Sequence, residues 1–172
     1  FVNERIEFFK KEDNAISCFN AELQTIGDYN GRQILELIQN ADDAGATNIS
    51  FQLNSDQNEL IFFNNGDSFS LEGIKSIMIA YYSSKVTSSY IGNKGLGFRS
   101  ILNWAESVSI YSAGLKIEFS RKVLEEYLAD QLTDMGKNLD VIRKNRNLSQ
   151  ECIPIPILGL PRVSTSKYDG CD

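Results

Sequence analysis

Three glycines fall within six positions in Gly92-Asn93-Lys94-Gly95-Leu96-Gly97, and the run continues directly into the apolar-spaced Phe98-Arg99-Ser100. Glycine adopts backbone conformations closed to other residues, so this spacing dictates a tight turn opening a helix. Backbone N–H groups of such a turn can approach an anion closely, and the helix start adds partial positive charge. An earlier segment supplies what a phosphate cradle lacks. In Glu36-Leu37-Ile38-Gln39-Asn40-Ala41-Asp42-Asp43-Ala44 a carboxylate and a carboxamide stand one helical turn apart. On a wheel advancing about 100° per residue, Glu36, Asn40 and Asp43 fall within roughly 60° of one another, with Ile34, Leu37, Ile38 and Ala41 on the opposite side. The spacing predicts a helix over 32–44 with one apolar face and one working face.

Together the segments describe a nucleotide site with a metal ligand and a general base. Magnesium favours hard oxygen ligands and keeps several waters, so the Asn40 carboxamide oxygen with triphosphate oxygens suffices. Glu36, one turn earlier, is then placed to orient a water for in-line attack on the γ-phosphate. Between the segments, Asn64-Asn65-Gly66-Asp67-Ser68-Phe69 leaves a strand through a sharp turn. Such a turn can set a polar side chain at the base of a pocket, where it pairs with the amino group of adenine. Singly, the three features are an exposed polar helix face, an Asn-Gly turn and a loop before a helix. Their joint occurrence in this order points to a site.

The rest of the pattern predicts a helix over 3–13 capped by Asn3, a turn cluster over 27–31, and a hairpin pairing 48–53 with 59–63. A helix over 71–82, a serine-rich loop over 83–93 and a short helix over 98–104 follow. A second hairpin pairs 107–111 with 115–119, a helix covers 121–132, and 137–150 is a charged surface excursion. Ile153-Pro154-Ile155-Pro156-Ile157 is extended, because each proline disfavours helix at the residue before it. Helices and antiparallel hairpins alternating without a strand–helix–strand period predict an α+β two-layer sandwich, its mixed, mostly antiparallel sheet covered on one face by helices. A dinucleotide-binding fold needs its glycines directly after the first strand, which is not the order here.

The 172 residues make one domain, a length that buries about 68–70% of the unfolded surface. With 42% hydrophobic residues and a net charge of −6, composition does not indicate nucleic-acid binding. No apolar run reaches a membrane span and no secretory signal is present, so no membrane partner is expected. Cys18, Cys152 and Cys171 lack paired spacing, which fits a reduced, cytoplasmic setting. The absence of histidine excludes a Ser-His triad and a phosphoacceptor histidine within the chain. Beginning at Phe1, it reads as the N-terminal part of a larger multidomain protein.

Glu36-Leu37-x-x-Asn40-Ala41-x-Asp43-Ala44, Asn64-x-Gly66 and Gly92-x-x-Gly95-x-Gly97-x-x-Ser100 resemble the N, G1 and G2 boxes of the GHKL (Bergerat-fold) ATPases. Within that superfamily, Asp28-Tyr29-Asn30-Gly31-Arg32, Ser83-Ser84-Lys85 and the uninterrupted Gly92–Ser100 run look most like sacsin-type N-terminal ATP-binding domains. The resemblance implies Glu36 as general base, Asn40 as magnesium ligand, Ala44 in the adenine wall and Asp43 as polar support. Asn64 and Gly66 would belong to the base pocket. Gly92, Gly95, Leu96, Gly97 and Phe98 would form the phosphate turn, with backbone donors from Gly95, Gly97 and Phe98. Ser83, Ser84 and Lys85 would lie in the lid, with Lys85 or Lys94 neutralising phosphate charge.

Two departures stand out. The superfamily usually carries aspartate where this chain has Asn64, and a downstream threonine has no clear equivalent, so either Ser164 or Thr165 substitutes or residues outside this sequence complete the pocket. The implied function is binding of ATP with Mg2+ and slow hydrolysis, with lid closure changing the association of downstream domains or a nucleotide-dependent homodimer. A non-hydrolysing nucleotide-binding or chaperone-like scaffold is the competing function. A histidine-kinase catalytic domain shares the fold, but Glu36 and the missing histidine argue against it.

Overall fold

The computed structural model describes residues 1–79 and 97–165. Among these the order is α1 (Val2–Phe9), α2 (Glu12–Asp28), α3 (Gln33–Asp43), β1 (Ile49–Asn54), β2 (Glu59–Asn64) and α4 (Leu71–Ile79). A 3₁₀ helix (Gly97–Asn103) leads to β3 (Ser107–Ser112), β4 (Leu115–Ser120), α5 (Arg121–Asp130), α6 (Thr133–Lys137) and α7 (Leu139–Asn145). A 3₁₀ turn (Ile157–Gly159) and β5 (Arg162–Thr165) complete the described chain. The α+β class expected from the sequence is present. Its strands form two antiparallel sheets, β1-β2 and β3-β4-β5, where one mixed sheet was expected.

Alternation explains the larger sheet. Val108 and Ile110 of β3 pair with Phe119 and Ile117 of β4, and all four turn to one face, where they pack with Ile74, Ile77 and Met78 of α4 and with Phe98. The β3–β4 turn uses Ala113 and Gly114 at φ 50° and 76°, the mirror-image two-residue geometry that matches strand twist. β1 and β2 pair as expected, with the Phe51 and Phe62 rings 4.7 Å apart. Ile49, Leu53 and Leu60 share that hairpin face and stay exposed.

A second apolar cluster joins Ile6, Phe9, Ala15 and Ile16 of the N-terminal helices to Leu124, Leu128, Met135, Ile142, Ile155 and Leu160. The proline-rich stretch is non-helical over 153–156, as expected, but Ile157, also expected to be extended, opens the 3₁₀ turn and packs against both clusters.

Three elements differ from the sequence expectation. The helix over 3–13 is two helices, because Lys11 is extended at φ −85°, ψ 111°. Asn3 lies inside α1, which starts after Phe1 without a side-chain cap. Most of α2 was not foreseen, since its inward stripe includes Glu22 and Thr25 among Ala15 and Ile16, so apolar periodicity is broken. The excursion over 137–150 is helical over Leu139–Asn145, held by buried Ile142 and by Arg143 Nε, which donates to the Cys152 carbonyl at 2.8 Å. The helix over 71–82 is described only to Ile79.

Ser120 caps α5, its hydroxyl accepting the Val123 N–H at 3.2 Å. Ser120→Ala should lower stability by about 1 kcal/mol in urea denaturation, without altering the sheet.

Candidate functional site

The turn after β2 and the 3₁₀ helix both converge on α3. Gly31, at φ +83°, turns the chain into that helix. At its other end the Ala46 N–H donates to the Ala41 carbonyl at 2.9 Å and the Gly45 N–H to that of Asp42 at 2.8 Å. With Gly45 at φ +71°, these two bonds make a Schellman cap, which favours glycine at that position.

The cap leaves the Ala44 carbonyl free to accept the Asp67 N–H at 2.8 Å. Gly66 seats against the same group: a Cβ there would lie 2.7 Å from the Ala44 oxygen. Asn65 completes the junction, its Oδ1 accepting the Thr47 and Asn48 N–H groups at 3.0 and 2.8 Å. Asn64 Oδ1 accepts the Gly66 N–H at 3.0 Å, so its carbonyl is used within its own turn. The Phe69 N–H donates to Ser112 Oγ at 2.9 Å, tying this turn to β3.

At the middle of α3, Glu36 meets the 3₁₀ helix. A Cβ built on Gly97 would lie 1.7 Å from Glu36 Oε2 and 2.2 Å from its Cδ, so the carboxylate rests on bare backbone. Asn40 follows one turn on and is half-buried, Ala44 is half-buried, and Asp43 is exposed. Phe98 is buried in the cluster beneath the larger sheet. Ser84, Lys85, Gly92, Lys94, Gly95 and Leu96 lie outside the described residues.

The apolar face of α3 is displaced from the one expected. Gln33 is 0% exposed and Ala41 is buried, with Leu37 packed against the sheet cluster between them, while Ile34 and Ile38 remain 39% and 36% exposed. The buried arc is therefore centred on Leu37. Glu36 and Asn40 flank it on the side facing the 3₁₀ helix.

Sequence reasoning missed a supporting layer. Glu22 of α2 is buried, with Oε1 accepting the Ile157 N–H at 2.5 Å and Oε2 the Leu158 N–H at 3.1 Å. Arg99 Nε stands 3.8 Å from Oε2. Burial pushes the Glu22 carboxyl above its ordinary value, opposed by Arg99 and the two N–H groups. Asn103 Nδ2 donates to the Ile26 carbonyl at 2.7 Å, fastening the far end of the 3₁₀ helix to α2. Polar residues at inward helical spacing were the available signal in the sequence.

A separate open cleft of about 420 Å³ is lined by Arg121, Leu128, Lys137, Leu139, Arg143 and Ile153 among others, and none of the sequence-predicted site residues lines it. Among the described residues no three His, Cys, Asp or Glu side chains converge to hold a metal. A divalent ion at Asn40 would thus draw the rest of its shell from phosphate oxygens and water.

The fold is an α+β domain in which α3, carrying an acid and an amide and capped at Gly45, is met by the 3₁₀ helix at Gly97. The profile of the histidine kinase-, DNA gyrase B- and HSP90-like ATPases matches residues 31–151, more than half of the chain, and the chain belongs to that family. It is 30% identical over 111 residues to Protein NO VEIN of Arabidopsis thaliana, a match covering 61% of this chain and 4% of that protein. The chain thus spans a small fraction of that relative. No solved structure matches it.

The Gly97 contact is testable without nucleotide. Gly97→Ala should cost about 1–3 kcal/mol by forcing the carboxylate aside, and adding Glu36→Ala should recover most of that loss in urea denaturation.

Proposed function

We propose that the domain binds ATP with Mg2+ and hydrolyses it slowly. The observation supporting this most is the seating of the Glu36 carboxylate against the side-chain-free backbone of Gly97, in a chain of the ATPase family. Gly97 opens the 3₁₀ helix, and the N–H groups at the start of a helix lack intrahelical partners. In the proposed assignment they face phosphate, and Glu36 on the adjoining face accepts a proton from the attacking water while orienting it. Asn40 offers one hard oxygen. Bound magnesium would neutralise phosphate charge there. Ala44 and Gly66, packed together at the end of α3, form the base-pocket wall, with Asp43 as polar support.

The finer parts of the proposal rest on sequence resemblance: a sacsin-type head domain in the cytoplasm, phosphate contacts from Gly92, Lys94, Gly95 and Leu96, and a lid over 83–93 carrying Ser84 and Lys85. Nucleotide state would control association with downstream domains or a second copy.

Glu36→Ala should reduce phosphate release by about 10²- to 10⁴-fold while calorimetry shows ATP affinity within about threefold of wild type. Asn40→Ala should remove the magnesium dependence of binding. Equal turnover by wild type and Glu36→Ala would defeat the catalytic assignment.

One observation favours a second function, a non-hydrolysing nucleotide-binding or chaperone-like scaffold. With Asn64 Oδ1 committed to Gly66, the remaining amide group is a donor, whereas a carboxylate there would retain a second acceptor for the adenine amine. Asn64→Asp should therefore tighten ATP binding, measured by calorimetry. Saturable binding with no phosphate release by the wild-type protein would select the scaffold.

A further inference from the structure

Glu22 and Arg99 are each 3% exposed, yet neither belongs to the cluster of groups assigned above to nucleotide chemistry. A buried charge is costly unless paired and hydrogen-bonded, so its placement needs a reason. The Glu22 carboxylate gathers three distant segments. It projects from α2, accepts the N–H groups of Ile157 and Leu158 at the start of the 3₁₀ turn, and faces Arg99 in the glycine segment.

Arg99 is two residues beyond Gly97, and Gly97 is where the backbone touches Glu36. Among the described contacts of the 3₁₀ helix, Phe98 is buried in the sheet cluster with Ile101 and Leu102 packed against it, Arg99 lies beside Glu22, and Asn103 Nδ2 bonds the Ile26 carbonyl. Two of these contacts reach α2, at Glu22 and Ile26. The position of the glycine backbone against the Glu36 carboxylate is thus set by α2 as much as by the sheet.

We propose that Glu22 and Arg99 are positioning residues, a buried pair that holds the Gly97–Asn103 segment at the depth where its backbone meets Glu36 and the phosphates. The inference rests on the ATP site proposed above. Neither side chain touches nucleotide in this scheme. Arg99 brings a buried charge to the segment beside the Glu22 carboxylate, and Glu22 is itself held by two N–H donors from the other side of the domain.

The test uses the full chain with Glu22→Gln, Arg99→Met, Arg99→Lys and, as a remote control, Ser120→Ala. Amide exchange, read without nucleotide, should accelerate over residues 97–103 in Glu22→Gln and Arg99→Met, by about tenfold or more, and stay unchanged there in Ser120→Ala. ATP affinity should fall about tenfold or more in the same two variants, since small misplacements of binding groups are costly. Arg99→Lys should recover most of that affinity. The double variant Glu22→Gln/Arg99→Met should be no weaker than Arg99→Met alone, because the two act as a unit. Wild-type exchange over 97–103 in Glu22→Gln, or loss in Arg99→Lys equal to that in Arg99→Met, would overturn the proposal. Should Glu22→Gln fail to fold, the two arginine variants decide it. A wild-type protein that does not bind ATP would remove the nucleotide assignment and leave the exchange comparison to judge the pair.

Discussion

Everything at the centre of the domain depends on a missing side chain. At Gly97 a Cβ would overlap the Glu36 carboxylate and force that side chain aside. Gly66 plays the matching part at the end of α3, beside the Ala44 carbonyl. These two close approaches bring the helix, the β2 exit turn and the glycine segment into one neighbourhood. Phe98, buried beside Leu37 in the cluster under β3 and β4, then supplies the apolar contact that stabilises the junction.

The polar residues around this junction fall into two groups. Asn64, Asn65 and Asp67 hold the turn through local or backbone bonds, so much of the polarity of that motif is structural. Glu36 and Asn40 are half-buried on α3, and Glu36 lies against the bare backbone of Gly97.

How much was legible in the sequence follows from which forces leave a local trace. Both hairpins, α3 and α5 were readable because period and turn residues are local signals, and Ala113-Gly114 lies where the strand pattern breaks. α2 was obscured because Glu22 and Thr25 replace apolar residues on its inner face, a choice intelligible only once Ile157, Leu158 and Arg99 are seen beside it. The inward turn of α3 was misjudged for a related reason: Gln33 is buried and Ile34 is exposed, the reverse of what hydropathy alone favours. Of the site itself, the described residues include the contacts of Glu36 with Gly97 and of Ala44 with Gly66, while Gly92 and Gly95 lie outside them. The layer behind them left no motif.

The Glu22 clamp also bears on the order in which the chain assembles. Its two hydrogen bonds span 135 and 136 positions, and Arg146 reaches back over a comparable distance to Glu12 and Asp13. Closing such loops is entropically slow compared with forming a hairpin. During synthesis α2, α3 and the first hairpin leave the ribosome well before Ile157 exists to meet Glu22. The early portion must wait with a buried-to-be carboxylate still in water, and the last third of the chain completes the support of its first third.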